Sequence, residues 1–170
     1  MTKGVRRAGK TLKDAERRRL ARRSRAEYAA SGTDHSAPPG WAVAWCDGGS
    51  RGNPGPAGAA YLIEGADGAP VASAAEPIGV ATVAVAGYRA VVAALEAAVA
   101  LGIDRLEVRT DSRLVARQLG PAGAPVRSPA LRTLVERAVD LGRRVGTVAY
   151  RWVPADQNGR ADRMVQDMLV

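Results

Sequence analysis

Three aspartates carry the chemistry this chain can offer. Asp47 ends a short apolar run, residues 41 to 46, and opens the glycine-rich stretch Asp47, Gly48, Gly49, Ser50, Arg51, Gly52, Asn53, Pro54, Gly55. Asp111 follows a second apolar run, and Asp162 stands near the C-terminus, in local sequences able to bring all three together. Clustered hard oxygen ligands of this kind suit a divalent cation such as magnesium and, through it, phosphate. Other chemistries are poorly supplied. With one histidine, His35, and one cysteine, Cys46, residues 41 to 170 cannot build a tetrahedral zinc site or a Ser/His/Asp triad.

The acids need elements to position them. Strand patterns cover residues 41 to 47, 57 to 64 and 70 to 77, with a turn at 65 to 68, and imply an antiparallel opening. Tyr88, Val91, Val92, Leu95 and Val99 then recur at helical spacing and predict an amphipathic helix over residues 84 to 101. A short strand at 106 to 110, a short helix at 112 to 119, a longer helix at 129 to 144, a strand at 147 to 153 and a closing helix at 158 to 169 complete the pattern. Strands in an antiparallel run, followed by alternating helices and strands, imply a mixed α/β sheet with helices packed on it. Asp47 and Asp111 then fall at strand ends, where ligands gather in open sheets, and Asp162 falls in the first turns of the last helix.

Charge divides the chain. Residues 1 to 40 hold 11 of the 25 Lys and Arg against four acids, whereas residues 41 to 170 hold 14 basic and 13 acidic side chains. The basic character belongs to an N-terminal arm, the electrostatic footprint of a polyanion partner, with nucleic acid ahead of an anionic membrane surface. Residues 11 to 30 contain helix formers but few large apolar side chains, so the arm reads as disordered or marginally helical. Residues 31 to 40 read as a linker, which divides the chain into an arm over 1 to 40 and a folded domain over 41 to 170. No apolar run approaches 18 residues, and the basic N-terminus lacks the apolar stretch of a secretory signal. One cysteine permits no intrachain disulfide, and a cytoplasmic monomer with no membrane contact is the expectation.

Singly, these features have bland readings. Asp111 before Ser112 serves as a helix cap on that dipeptide alone, Asp162 as a solvated helix residue, and the glycine run as a hairpin connection lacking the ending of a P-loop. Cys46 reads as a small buried apolar residue, and Trp45 and Trp152 as core or sheet-face residues rather than base-stacking platforms.

Order and spacing together are far more specific. The Asp47 to Gly55 motif, Leu95-Glu96-Ala97-Ala98, Thr110-Asp111-Ser112, and Val153-Pro154 with Asn158-Gly159-Arg160-Ala161-Asp162 strongly resemble type I ribonuclease H over residues 41 to 170. The resemblance implies a five-stranded mixed sheet, three antiparallel strands then two parallel, flanked by helices. It implies binding of RNA/DNA hybrid and endonucleolytic cleavage of the RNA strand with two magnesium (or manganese) ions, one activating water and the other stabilising the leaving oxygen. Asp47, Asp111 and Asp162 match three of the four metal-holding acids. By the same resemblance Ser50, Asn53, Thr82, Arg113 and Asn158 face nucleic acid, Arg113 standing where a glutamine often touches the RNA, and the 2'-hydroxyl is what such contacts read.

The fourth acid is missing. The resemblance calls for Thr-Asn-Asn, two more residues and then glutamate, whereas this chain reads Thr82, Val83, Ala84, Val85, Ala86, Gly87, Tyr88. Glu96 cannot substitute, since nine helical residues are about 900° of rotation and about 13.5 Å of rise, which places it on the opposite face. A histidine expected between the two later helices is absent from residues 120 to 129 as well. Two readings follow, a metal-dependent hybrid endoribonuclease weakened at one carboxylate, and a catalytically inactive hybrid- or duplex-binding module of the same fold. Gly87 separates them.

Overall fold

The computed structural model describes residues 37–169. Most of the basic arm, including the helix read at residues 11 to 30 and His35, lies outside the described residues.

Strand β1 (Ala42–Ser50) is the middle of the sheet. On one side it pairs antiparallel with β2 (Gly55–Glu64), which pairs antiparallel with β3 (Pro70–Ala81). On the other side it runs parallel to β4 (Arg105–Thr110), which runs parallel to β5 (Thr147–Trp152). The order β3-β2-β1-β4-β5 is the five-stranded mixed sheet expected from the sequence. Helix α1 (Val83–Ala100) crosses from the antiparallel half to the parallel half, α2 (Arg113–Leu119) follows β4, α3 (Pro129–Val145) precedes β5, and α4 (Gly159–Met168) closes the chain after a 3-10 turn at Ala155–Gln157.

The alternation of strand side chains explains the two faces. Ala42, Ala44 and Cys46 of β1 and Leu106 and Val108 of β4 join Tyr88, Val91, Leu95 and Ala98 of α1 and Leu131, Ala138 and Leu141 of α3 in one buried core. Val43, Trp45 and Asp47, and likewise Glu107, Arg109 and Asp111, occupy the alternate positions that project to the other face. Helix α4 packs on that second face, where Val165 and Met168 reach Gly49 and Gly58. Helix α1 has the length and mean hydropathy of a membrane span, although Arg89 and Glu96 interrupt its apolar run. Half of it is buried inside the domain, as befits the core helix of this sheet.

Three strands run longer than the sequence pattern indicates, β2 by starting at Gly55. Strand β1 continues through the glycines to Ser50 because Gly48, Gly49 and Ser50 keep their ladder partners Ala59, Gly58 and Ala57. Strand β3 continues to Ala81 past a register shift opposite Ala57 and Gly58. Turn-forming residues at these places suggested loops, and cross-strand pairing overrides them.

Candidate active site

Asp47 and Asp111 come together from adjacent parallel strands. Cys46 pairs with Thr110, so the next residue on each strand is an aspartate on the same face. Asp47 is 8% exposed, and Asp111 is half-buried just beyond the end of β4. Their carboxyls are close enough for each to act on the other's ionisation. Burial, then the neighbouring Asp111 and Asp162 charges, push Asp47 up to about 8. Asp111 is also raised, by burial, against hydrogen bonds from Asp47, its own backbone and Asn158 that favour its ionised form. Asp162, exposed in the first turn of α4, is close enough for its charge to act on both.

These donors fit a hard divalent cation as an open set. Two carboxyls meet with excess negative charge, a third stands nearby, and the Oδ1 of Asn158, 1% exposed, has no hydrogen-bond partner. Among the described residues no three His, Cys, Asp or Glu side chains close into a metal cage. Asp47 and Asp111 are the ligands a cation would meet first, with Asp162 at the rim.

Position 87 borders this set. A Cβ on Gly48 would lie 2.1 Å from the carbonyl carbon of Ala86 and 2.3 Å from the backbone nitrogen of Gly87, so α1 crosses β1 backbone to backbone beside Asp47. A Cβ on Gly87 would meet only ordinary contacts, Val115 Cγ2 at 3.6 Å and the Ser112 side chain at 3.9 Å. Ser112 is the residue after Asp111. Glu96 faces elsewhere, its carboxylate 3.1 Å from Arg137 of α3.

The other sequence-predicted site residues divide between surface and interior. Ser112, whose Oγ accepts from Val115 N at 3.3 Å, caps α2, so Asp111 is released from that duty. Thr82 Oγ1 caps α1 through Val85 N at 3.2 Å, and the exposed Asn53 accepts from Val83 N at 3.1 Å, which places both at the N-terminus of α1. Ser50 Oγ lies 3.1 Å from the Gly55 carbonyl and 2.9 Å from the Ala81 carbonyl, locking the β1 to β2 connection to the end of β3. The exposed Arg113 guanidinium sits 4.1 Å from the centre of the Trp152 ring. Asn158 is a correction. Expected to face nucleic acid, it is buried and donates through Nδ2 to the Cys46 carbonyl at 2.8 Å, tying the start of α4 to the strand that carries Asp47.

Gly48 and Gly49 are filled from inside, Gly48 by α1 and Gly49 by Val165, whose Cγ1 would lie 2.9 Å from an added Cβ. A further basic region was passed over at the sequence level. Residues 113 to 144, on α2, α3 and their connection, hold seven arginines against Glu136 and Asp140. The near-neutral total for residues 41 to 170 hides this local excess, which a sliding count of charge would have found.

The strand order, the central position of β1 and the two acids just past the last β1–β4 pair, Cys46 and Thr110, define a ribonuclease H-like domain, and the expected strand-end place of Asp47 is corrected, since β1 runs on to Ser50. Residues 45–168 match the reverse transcriptase-like family. A ribonuclease HI of Halobacterium salinarum is 41% identical over 126 residues, 74% of this chain and 63% of that protein. A bifunctional protein of Mycobacterium tuberculosis is 41% identical over 124 residues, 72% of this chain and 34% of that protein, so the chain spans only about a third of that relative's length. The crystal structure of the Halobacterium RNase H1 superposes with a TM-score of 0.72 at 40% identity, covering 76% of this chain and 98% of that one. LC11-RNase H1 in complex with RNA/DNA hybrid superposes with a TM-score of 0.70 at 33% identity, covering 74% and 94%. The chain belongs to the type I ribonuclease H family.

Proposed function

We propose that this chain binds RNA/DNA hybrid and hydrolyses the RNA strand endonucleolytically, dependent on magnesium or manganese and slowed by the glycine at position 87. The observation that carries this reading is that Asp47 and Asp111 stand side by side just past the last pair of the parallel β1–β4 ladder, with Asp162 near enough for its charge to act on both. It is supported by similarity to proteins named ribonuclease HI and to a relative whose structure holds a hybrid.

A divalent cation bound there would bring positive charge to the scissile phosphodiester and lower the pKa of a water. Asp47 and Asp111 would supply the first oxygens, and the cation would favour the ionised form of Asp47 that burial disfavours. Asn158 keeps α4 against β1, so Asp162 approaches from a fixed direction. Asn53 and Thr82 stand at one margin of the site, and Arg113, on Trp152, at another. Arg113 offers a planar cation to phosphate, and the arginines of α2 and α3 extend the attraction along the strand.

Gly87 supports a second reading, a hybrid-binding module without turnover. Loss of one carboxylate removes about one negative charge that water cannot restore. Cleavage of end-labelled hybrid distinguishes the two. The enzyme reading expects internal cuts in the RNA strand that require magnesium or manganese and vanish in Asp47→Asn. Tight binding with no cuts at any concentration of either metal would leave the binding module.

A further inference from the structure

Each of the three aspartates is preceded, two residues earlier, by a member of one stacked cluster. Trp45 precedes Asp47 on β1, Arg109 precedes Asp111 on β4, and Arg160 precedes Asp162 in the first turn of α4. Both guanidinium groups lie over the Trp45 ring, that of Arg109 at 4.9 Å from its centre and that of Arg160 at 5.6 Å. Two residues along a strand is the same face of the sheet, so the ring and Arg109 lie directly behind Asp47 and Asp111.

The cluster is anchored on every side. Glu107, 3% exposed, accepts from Arg109 Nε at 2.6 Å and lies 3.8 Å from Arg151 Nε. Arg160 is also paired with Glu64 of β2. It has a cost as well, because Trp45 Nε1 and Arg109 Nη2 are buried without hydrogen-bond partners. Unpaired buried donors destabilise a fold, and an arrangement that keeps them is explained by what it holds in place.

We infer that Trp45 is a positioning residue: by holding Arg160 of α4 against Arg109 of the ladder-paired strands it sets where the start of α4, and with it Asp162, stands relative to Asp47 and Asp111. The inference rests on reading those acids as one metal-holding set.

Manganese alone is the probe, titrated into the full chain and followed by the electron paramagnetic resonance of the free ion, with thermal unfolding recorded in parallel. Trp45→Leu and Arg160→Gln should each weaken manganese binding on the order of tenfold, the usual effect of losing a group that orients a ligand. Trp45→Phe, which keeps an aromatic face for both cations, should recover most of the loss. Arg160→Gln guards against failure to fold, because the Arg160 side chain is 57% exposed. It also separates positioning from charge. Removing a cation beside three acids raises cation affinity by electrostatics alone, so a fall has to come from displaced ligands. Wild-type affinity in both Trp45→Leu and Arg160→Gln overturns the positioning role and leaves the acid set standing. A wild-type chain that binds manganese no better than Asp47→Asn overturns the acid set itself, and the positioning role with it.

Discussion

Gly48 of β1 and Ala86 of α1 touch through their backbones, with room for no side chain between them. This contact places position 87 beside Asp47 and fixes how far the helix stands from the acid-bearing strand. Gly48→Ala should destabilise the domain by about 1–3 kcal/mol, the usual cost of overpacking. Chemical denaturation of the two proteins measures it, and equal midpoints would show that strand and helix are free to separate.

The acid pair gives a pH dependence. Asp47 is raised above its unfolded value, to about 8, and Asp111 is raised in the same direction. The folded state therefore binds more protons than the unfolded one between the unfolded carboxylate range and the folded pKa, and its stability falls as pH rises through that window. Asp47→Asn removes the titration. The variant should gain stability relative to the wild type as pH increases from about 5 to about 8, read as a growing difference in Tm, because the shift acts only in that window. A difference that stays flat or shrinks would mean that the fold does not hold Asp47 above the ordinary carboxylate range.

Electrostatic contact by the N-terminal arm is testable without knowing its structure. Residues 1 to 40 carry 11 basic side chains against four acidic ones. Deleting residues 1 to 39 should weaken hybrid binding and make the slope of log Kd against log salt shallower, since each neutralised phosphate contributes to that slope. Fluorescence anisotropy across a salt series provides the comparison, and equal slopes would remove the arm from the interface.

The succession of strands and helices and the positions of the acids were legible because period-two and period-3.6 patterns are strong here and the aspartates interrupt them, whereas the five-stranded mixed sheet was expected from the family resemblance. The full lengths of β1 and β3 were not, because glycine and proline read as turns in the sequence while their ladder partners, in the case of Gly48 and Ala59, are fixed only by pairing. The fate of Asn158 was hidden for a similar reason. A polar residue beside an aspartate looks like a contact to substrate, and only the approach of α4 to β1 reveals that its partner is the Cys46 carbonyl. The cluster around Trp45 was hidden most deeply, since Arg109 and Arg160 lie 51 residues apart in sequence and meet only across the second face of the sheet.

The central claim is that one missing carboxylate at position 87 limits an otherwise assembled site. The geometry permits its return, because a Cβ there meets no atom closer than 3.6 Å. The direct measurement is the rate of RNA-strand cleavage in labelled hybrid by the natural chain and by Gly87→Glu, at matched folding and across magnesium concentrations. Cleavage by the natural chain that rises on the order of 10-fold or more in Gly87→Glu, with saturation at lower magnesium, is the predicted result. Equal rates and equal magnesium dependence in the two proteins would contradict the account.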